Sequence, residues 1–297
     1  MWLVRGWRPA AVALLLLVPV VACDENPAVN DAPDPLTPSL VATVIQYRPD
    51  EGTRRISIEV TNTSTTPVRV VAVQLDTDGF ARVPGTAKDT SIAPGQTIGL
   101  ATGYGDPRCA REGAIANAVA VLTLAGERAA PRTLATPVSV TGQAVLARLH
   151  RAECEQAALD DIAEVRLLPR LRGPEDGGTA VLRGVLLLRR PVSASGSRPL
   201  TVTSLQGSLL IELRPARAGH PVARLSGDEM SERVPVRLGS SGRCDAHALG
   251  GSTQTFLLSA FVRRASQPQQ RVLLIPGPHS RRQLLRVVTL GCAGEAP

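Results

Sequence analysis

The chain has 297 residues and a formal net charge of +7, with 33 Lys and Arg against 26 Asp and Glu. Its apolar content is 43%, enough to build two ordinary domains, yet only 2% of its residues are aromatic. Both tryptophans, Trp2 and Trp7, lie near the start. That leaves few ring faces for stacking on sugars or bases, and it argues against a nucleic-acid partner.

A short head with Arg5 and Arg8 precedes an apolar run from Ala10 to Val18, which ends in Val20-Val21-Ala22-Cys23. Basic head, apolar core and small-residue end are the order of a secretory signal. The core is shorter than the roughly 20 residues that a bilayer span needs, and Pro19 interrupts it. A cysteine directly after the small residue makes Val20–Cys23 resemble the lipobox of bacterial lipoproteins. The basic residues are arginine throughout except for Lys88, so the chain is similar in character to actinobacterial envelope lipoproteins. The resemblance implies cleavage between Ala22 and Cys23 and a diacylglycerol thioether on Cys23, with acyl chains such as palmitate. It also implies a place on the extracytoplasmic face of the cell membrane. Buried methylenes contribute ~0.8 kcal/mol each, so two or three chains hold firmly.

Four expected regions follow: a signal at 1–22, a tether at 23–38, a first β domain at 39–154 and a second at 155–297. Residues 24–38 read DENPAVNDAPDPLTP, an acidic, Pro-rich composition that cannot bury a core and favours an extended spacer.

From Ser39 the pattern becomes apolar alternation with many β-branched residues. Strands are expected at 41–47, 56–60, 68–75, 96–102, 117–124 and 132–140. Such a series of short strands suggests a β-sandwich. The stretch Ile56–Val71, ISIEVTNTSTTPVRVV, resembles the second-strand hairpin of bacterial immunoglobulin-like domains, which implies a fold and no particular activity. A helix is expected over 143–153, capped by Thr141.

The second half repeats this plan, with strands expected at 163–168, 180–189, 200–206, 209–213, 233–238, 253–263 and 271–275. A loop is expected over 171–178. A helix over 281–290 then follows Pro276-Gly277-Pro278, with Ser280 as its cap. Cysteine spacing matches between the halves: Cys109 to Cys154 is 45 residues, and Cys244 to Cys292 is 48. The fold class is therefore mainly β, with tandem immunoglobulin-like sandwiches each closed by a short helix. Outside the membrane four cysteines allow three connectivities. The repeat selects Cys109–Cys154 and Cys244–Cys292, one structural bridge per domain.

Few residues point to chemistry. Cys244-Asp245-Ala246-His247 looks like a nucleophile and base, but a bridged Cys244 has no thiol to activate. No GxSxG elbow is present. Asp76-Thr77-Asp78-Gly79 opens like a calcium loop, yet the oxygens that should follow are missing. Gly103-Tyr104-Gly105 places one of only two tyrosines beyond the first ten residues in a glycine-flanked loop, which makes Tyr104 a candidate partner contact. No cofactor and no metal site is expected. Residues 155–297 carry 19 bases and 12 acids.

Taken together, these features lead to the expectation of a non-enzymatic binding or scaffolding module, with an envelope protein or an anionic polymer as its partner. One alternative is an envelope hydrolase with a dispersed site, or an accessory to one. Another is an electrostatic binder of anionic wall polymer or lipid through the second domain, set against arginines scattered merely for solubility.

Overall fold

The computed structural model describes residues 38–110, 115, 117–126, 130–173, 181–192 and 198–293. The expected signal, Cys23, the expected tether up to residue 37 and most of the expected loop at 171–178 lie outside the described residues.

The first sandwich contains β1 (Leu40–Ile45), β2 (Arg55–Asn62), β3 (Val68–Asp76), β4 (Thr86–Ile92), β5 (Thr97–Gly103), β6 (Val119–Leu124) and β7 (Arg132–Pro137). One sheet runs β1-β2-β5 and the other β4-β3-β6-β7, an immunoglobulin-like order in which the fourth strand sits beside the third. Alternation in the sequence becomes alternation in burial. Ile56, Ile58 and Val60 are fully buried, and Ile58 lies between Val44 and Leu100 in the ladder. In β3 the buried positions switch from Val68 and Val70 to Val73 and Leu75. A β-bulge between Val70 and Ala72 makes that change of phase.

The second sandwich contains β8 (Glu164–Leu167), β9 (Val181–Arg189), β10 (Leu200–Gln206), β11 (Ile211–Pro215), β12 (Ala223–Leu225), β13 (Ser231–Ser240), β14 (Leu258–Arg264) and β15 (Gln270–Leu274). Its sheets run β11-β13-β9-β8 and β12-β10-β14-β15. This repeats the first order strand for strand, with β11 as an addition at one edge. Strands β4 and β12 were not expected from the sequence. Both are edge strands with little to bury: β4 hides only Ile92, and β12 is three residues long.

Helix α1 runs Val140–Asp160, longer than expected at both ends. Ser139, not Thr141, is its N-cap, accepting from Gly142 N at 3.2 Å. At the far end the chain stays helical because Leu159 finds a core to enter. Leu146 and Leu149 belong to the first hydrophobic core and Leu159 to the second. One rigid rod thus serves both cores. A short helix α2 (Ala246–Gly251) precedes β14, and α3 (Pro278–Ala293) closes the chain. Ser280 is not its cap; it lies inside α3 and donates to Pro169 O at 2.7 Å.

The sandwiches also meet at the turn Arg48–Thr53. Gln254 Nε2 donates to Arg48 O at 3.1 Å, and Arg271 Nη1 lies 2.8 Å from Glu51 Oε1. Gly52 has φ +76°, and a Cβ there would come within 2.8 Å of Ile275 Cδ1. That contact needs glycine twice over, for its backbone and for its bareness.

Candidate functional site

The cysteines pair as Cys109–Cys154 and Cys244–Cys292, with Cα separations of 5.5 and 5.4 Å. Each bridge fastens the segment after the fifth core strand, β5 or β13, to the closing helix.

Tyr104 is not a partner contact, which corrects the expectation from the sequence. It is only 5% exposed, with its ring 4.8 Å from that of Phe80. Its hydroxyl donates to Glu153 Oε1 at 3.3 Å. Glu153 Oε2 receives Arg54 Nη2 at 3.1 Å, and Arg54 also pairs with Asp106. The flanking glycine explains the burial. A Cβ on Gly105 would lie 2.2 Å from Ala81 O, so bareness there lets the loop press inward. Ala81 N donates to Asp106 O at 2.7 Å and Arg108 N to Gly79 O at 2.8 Å. Burial, with the Glu153 carboxylate beside it, pushes the Tyr104 hydroxyl up to about 12. His150 joins the same cluster, edge-on to Phe80 at 5.5 Å and 3.3 Å from Arg108 O. These groups lock a loop onto α1.

The acidic turn at 76–79 is the other half of that lock. Asp76 pairs with Arg82. No three His, Cys, Asp or Glu side chains cluster to hold a metal ion among the described residues.

The Cys244–His247 stretch is a helix-capping turn. Asp245 Oδ1 accepts from Ala248 N at 2.8 Å and its Oδ2 receives Arg243 Nε at 3.2 Å. Those two donors hold its carboxyl below the usual range. His247 is exposed, and the sulfur of Cys244 is spent on Cys292.

A recess of about 740 Å³ opens where the β10–β11 turn, the start of β11 and the chain after α2 approach Arg48. Its charged residues are Arg48, Glu212, Arg214 and Arg271. Glu212 pairs with Arg214 and Glu51 with Arg271, which leaves Arg48 as the unpaired cation of this group among the described residues. Two of the hydroxyls that line it serve the backbone. Ser241 Oγ donates to Leu209 O at 2.6 Å, and Ser208 Oγ accepts from Ile211 N at 3.1 Å. No histidine lines the recess among the described residues. A second recess, about 430 Å³, lies on the outer face of the β12-β10-β14-β15 sheet, with Thr201, His220, Arg224 and Arg263 in its walls. None of these recesses was foreseen from the sequence. Each is assembled from loops and strands far apart in the chain.

No protein-family model matches the chain, and no curated protein sequence does. Among solved structures, red sea bream transglutaminase aligns over 80% of this chain at 7% identity with a TM-score of 0.22; the chain spans about a third of it, 31%. The B domain of a biofilm-associated protein aligns over 80% of this chain and 85% of its own length, at 7% identity and a TM-score of 0.17. Similarity at this level carries no functional argument.

Proposed function

We propose that the chain is a lipid-anchored envelope protein working as a non-enzymatic binding or scaffolding module. In this reading Cys23 carries the lipid, the acidic Pro-rich segment is the spacer, and the two sandwiches present fixed surfaces at the extracytoplasmic face. The observation that carries the reading is the stiffness of the frame. Helix α1 contributes side chains to both cores, and each sandwich is stapled to its closing helix by a disulfide. A frame without slack suits holding partners at set positions. Two disulfides also favour an oxidising compartment.

Cross-linking of intact cells that express the tagged full chain tests the reading. It predicts discrete adducts with envelope components, lost when Cys23→Ser releases the chain from the membrane. Adducts unchanged by Cys23→Ser, or none with any envelope component, would contradict it.

A further inference from the structure

The outer face of the β11-β13-β9-β8 sheet carries four arginines in a single row. Arg214 on β11 is the register partner of Arg237 on β13. Arg237 in turn partners Arg183 on β9, and Arg183 bridges to Arg172 on the segment that continues β8. The last link is a two-way backbone pair, at 2.9 and 2.8 Å. Directly opposed residues of an antiparallel ladder project to the same face, and strands lie about 4.8 Å apart. The row is therefore about 14 Å long, with one guanidinium stem per strand. Its register is fixed from beneath, because the neighbours Leu182, Leu213, Val236 and Leu238 are at most 6% exposed. A slip of one residue would bury the arginines and expose that core.

All four arginines are exposed. Arg214 pairs with Glu212, whereas Arg172, Arg183 and Arg237 make no ion pair or side-chain hydrogen bond among the described residues. Like charges directly opposite in a sheet repel and lower stability. Strands that were merely solubilised would gain by alternating the sign, as happens six positions further along β9, where Glu164 meets Arg189. The row forgoes that gain.

We infer that this row is a binding track for a linear, phosphate-bearing polyanion, laid across the strands with successive anionic groups over successive arginines. The inference rests on the binding-module reading and names its ligand class. Guanidinium forks match phosphate oxygens in pairs, and a line of cations, three of them unpaired among the described residues, matches a line of anions. A bilayer surface is the poorer fit. The outward Leu187 near the row is itself only 5% exposed, so it does not protrude to enter lipid as membrane-surface segments do.

The test is equilibrium binding of long-chain inorganic polyphosphate to the full chain at 50 and 500 mM NaCl. Binding at low salt that weakens at high salt is expected. Arg183→Ala/Arg237→Ala should lower affinity by about 100-fold, roughly tenfold per lost charged contact. Arg224→Ala/Arg263→Ala removes equal charge from the opposite sheet and should change affinity less than about threefold by the same reasoning. Arg237→Glu supplies a fold control. It should raise Tm, by giving Arg183 and Arg214 a counter-charge, while abolishing binding. Four results would overturn the inference: no binding by the wild type, equal loss in both double variants, a Tm lowered by Arg237→Glu, or phosphatidylglycerol vesicles binding through Arg183 and Arg237 where polyphosphate does not. None of these depends on Cys23, so failure here is separate from failure of the anchor.

Discussion

Leu159→Ala probes whether α1 truly belongs to both sandwiches. Leu159 is 0% exposed and packs in the second core, at the last turn of a helix whose Leu146 is equally buried in the first. Truncating a fully buried leucine costs the lost transfer energy plus a cavity term, about 3 kcal/mol in total. With a urea m-value of about 1–3 kcal/mol/M for a domain of this size, the midpoint should fall by about 1–3 M. The chain provides its own local probe, because Tyr47 and Tyr104 both lie in the first sandwich and no tryptophan occurs after Trp7. Tyrosine fluorescence therefore follows the first sandwich, and far-UV circular dichroism follows both. Leu159→Ala should move the circular-dichroism transition far more than the tyrosine transition; Leu146→Ala should do the reverse. If Leu159→Ala costs under about 1 kcal/mol, or shifts only the tyrosine signal, the reasoning about α1 is wrong.

Three further outcomes follow from the same contacts. Tyr104 ionises near 12 in the folded state against 10.0 for a free side chain, so its contribution to stability is whole below pH 10 and is lost as pH rises from 10 through 12. Tyr47 is also shifted upward, by its 2.9 Å bond to Glu59; the tyrosinate absorbance at pH 10 should thus fall short of half its final value, and half or more would refute at least one of the two assignments. Gly142→Ala should destabilise the first sandwich by about 1–3 kcal/mol in urea titrations although alanine is the better helix former, because its Cβ would sit 2.5 Å from Val44 N and 2.6 Å from Val138 Cγ1; a gain in stability would contradict that packing. Arg190 is 5% exposed and its guanidinium donates to the carbonyls of Glu229, Arg198 and Ser226 at 2.8–2.9 Å. Arg190→Met leaves those carbonyls bare, and urea unfolding should show a loss of about 3–5 kcal/mol in the second sandwich; a loss below 1 kcal/mol would mean that water replaces the side chain without cost.

Much of this architecture could be read from residues. Ile56-Ser57-Ile58-Glu59-Val60 alternates because alternate positions are buried, and closely matched cysteine spacing exposed the repeated plan and its two bridges. What escaped was whatever takes its shape from neighbours. Strands β4 and β12 occupy the same edge in the two sandwiches, and Thr86–Ile92 has too few apolar side chains to leave a periodic trace. The end of α1 escaped because a single leucine, Leu159, holds it to a core formed by later residues. Tyr104 was misread since a flanking glycine permits close approach as readily as exposure. The arginine row was invisible for a stronger reason. Arg172, Arg183, Arg214 and Arg237 span 66 positions of chain, and only the register of two ladders and one bridge aligns them. Residue by residue they are ordinary surface charges.

The anchor is the claim on which the proposed role turns, and metabolic labelling tests it most directly. Cells expressing the full chain, wild type or Cys23→Ser, would be fed radiolabelled palmitate and the immunoprecipitated protein analysed on a denaturing gel. The account predicts label in the wild type at the mass of the cleaved chain and none in Cys23→Ser. Equal labelling of the two, or an unlabelled wild type recovered from the culture medium, would contradict it.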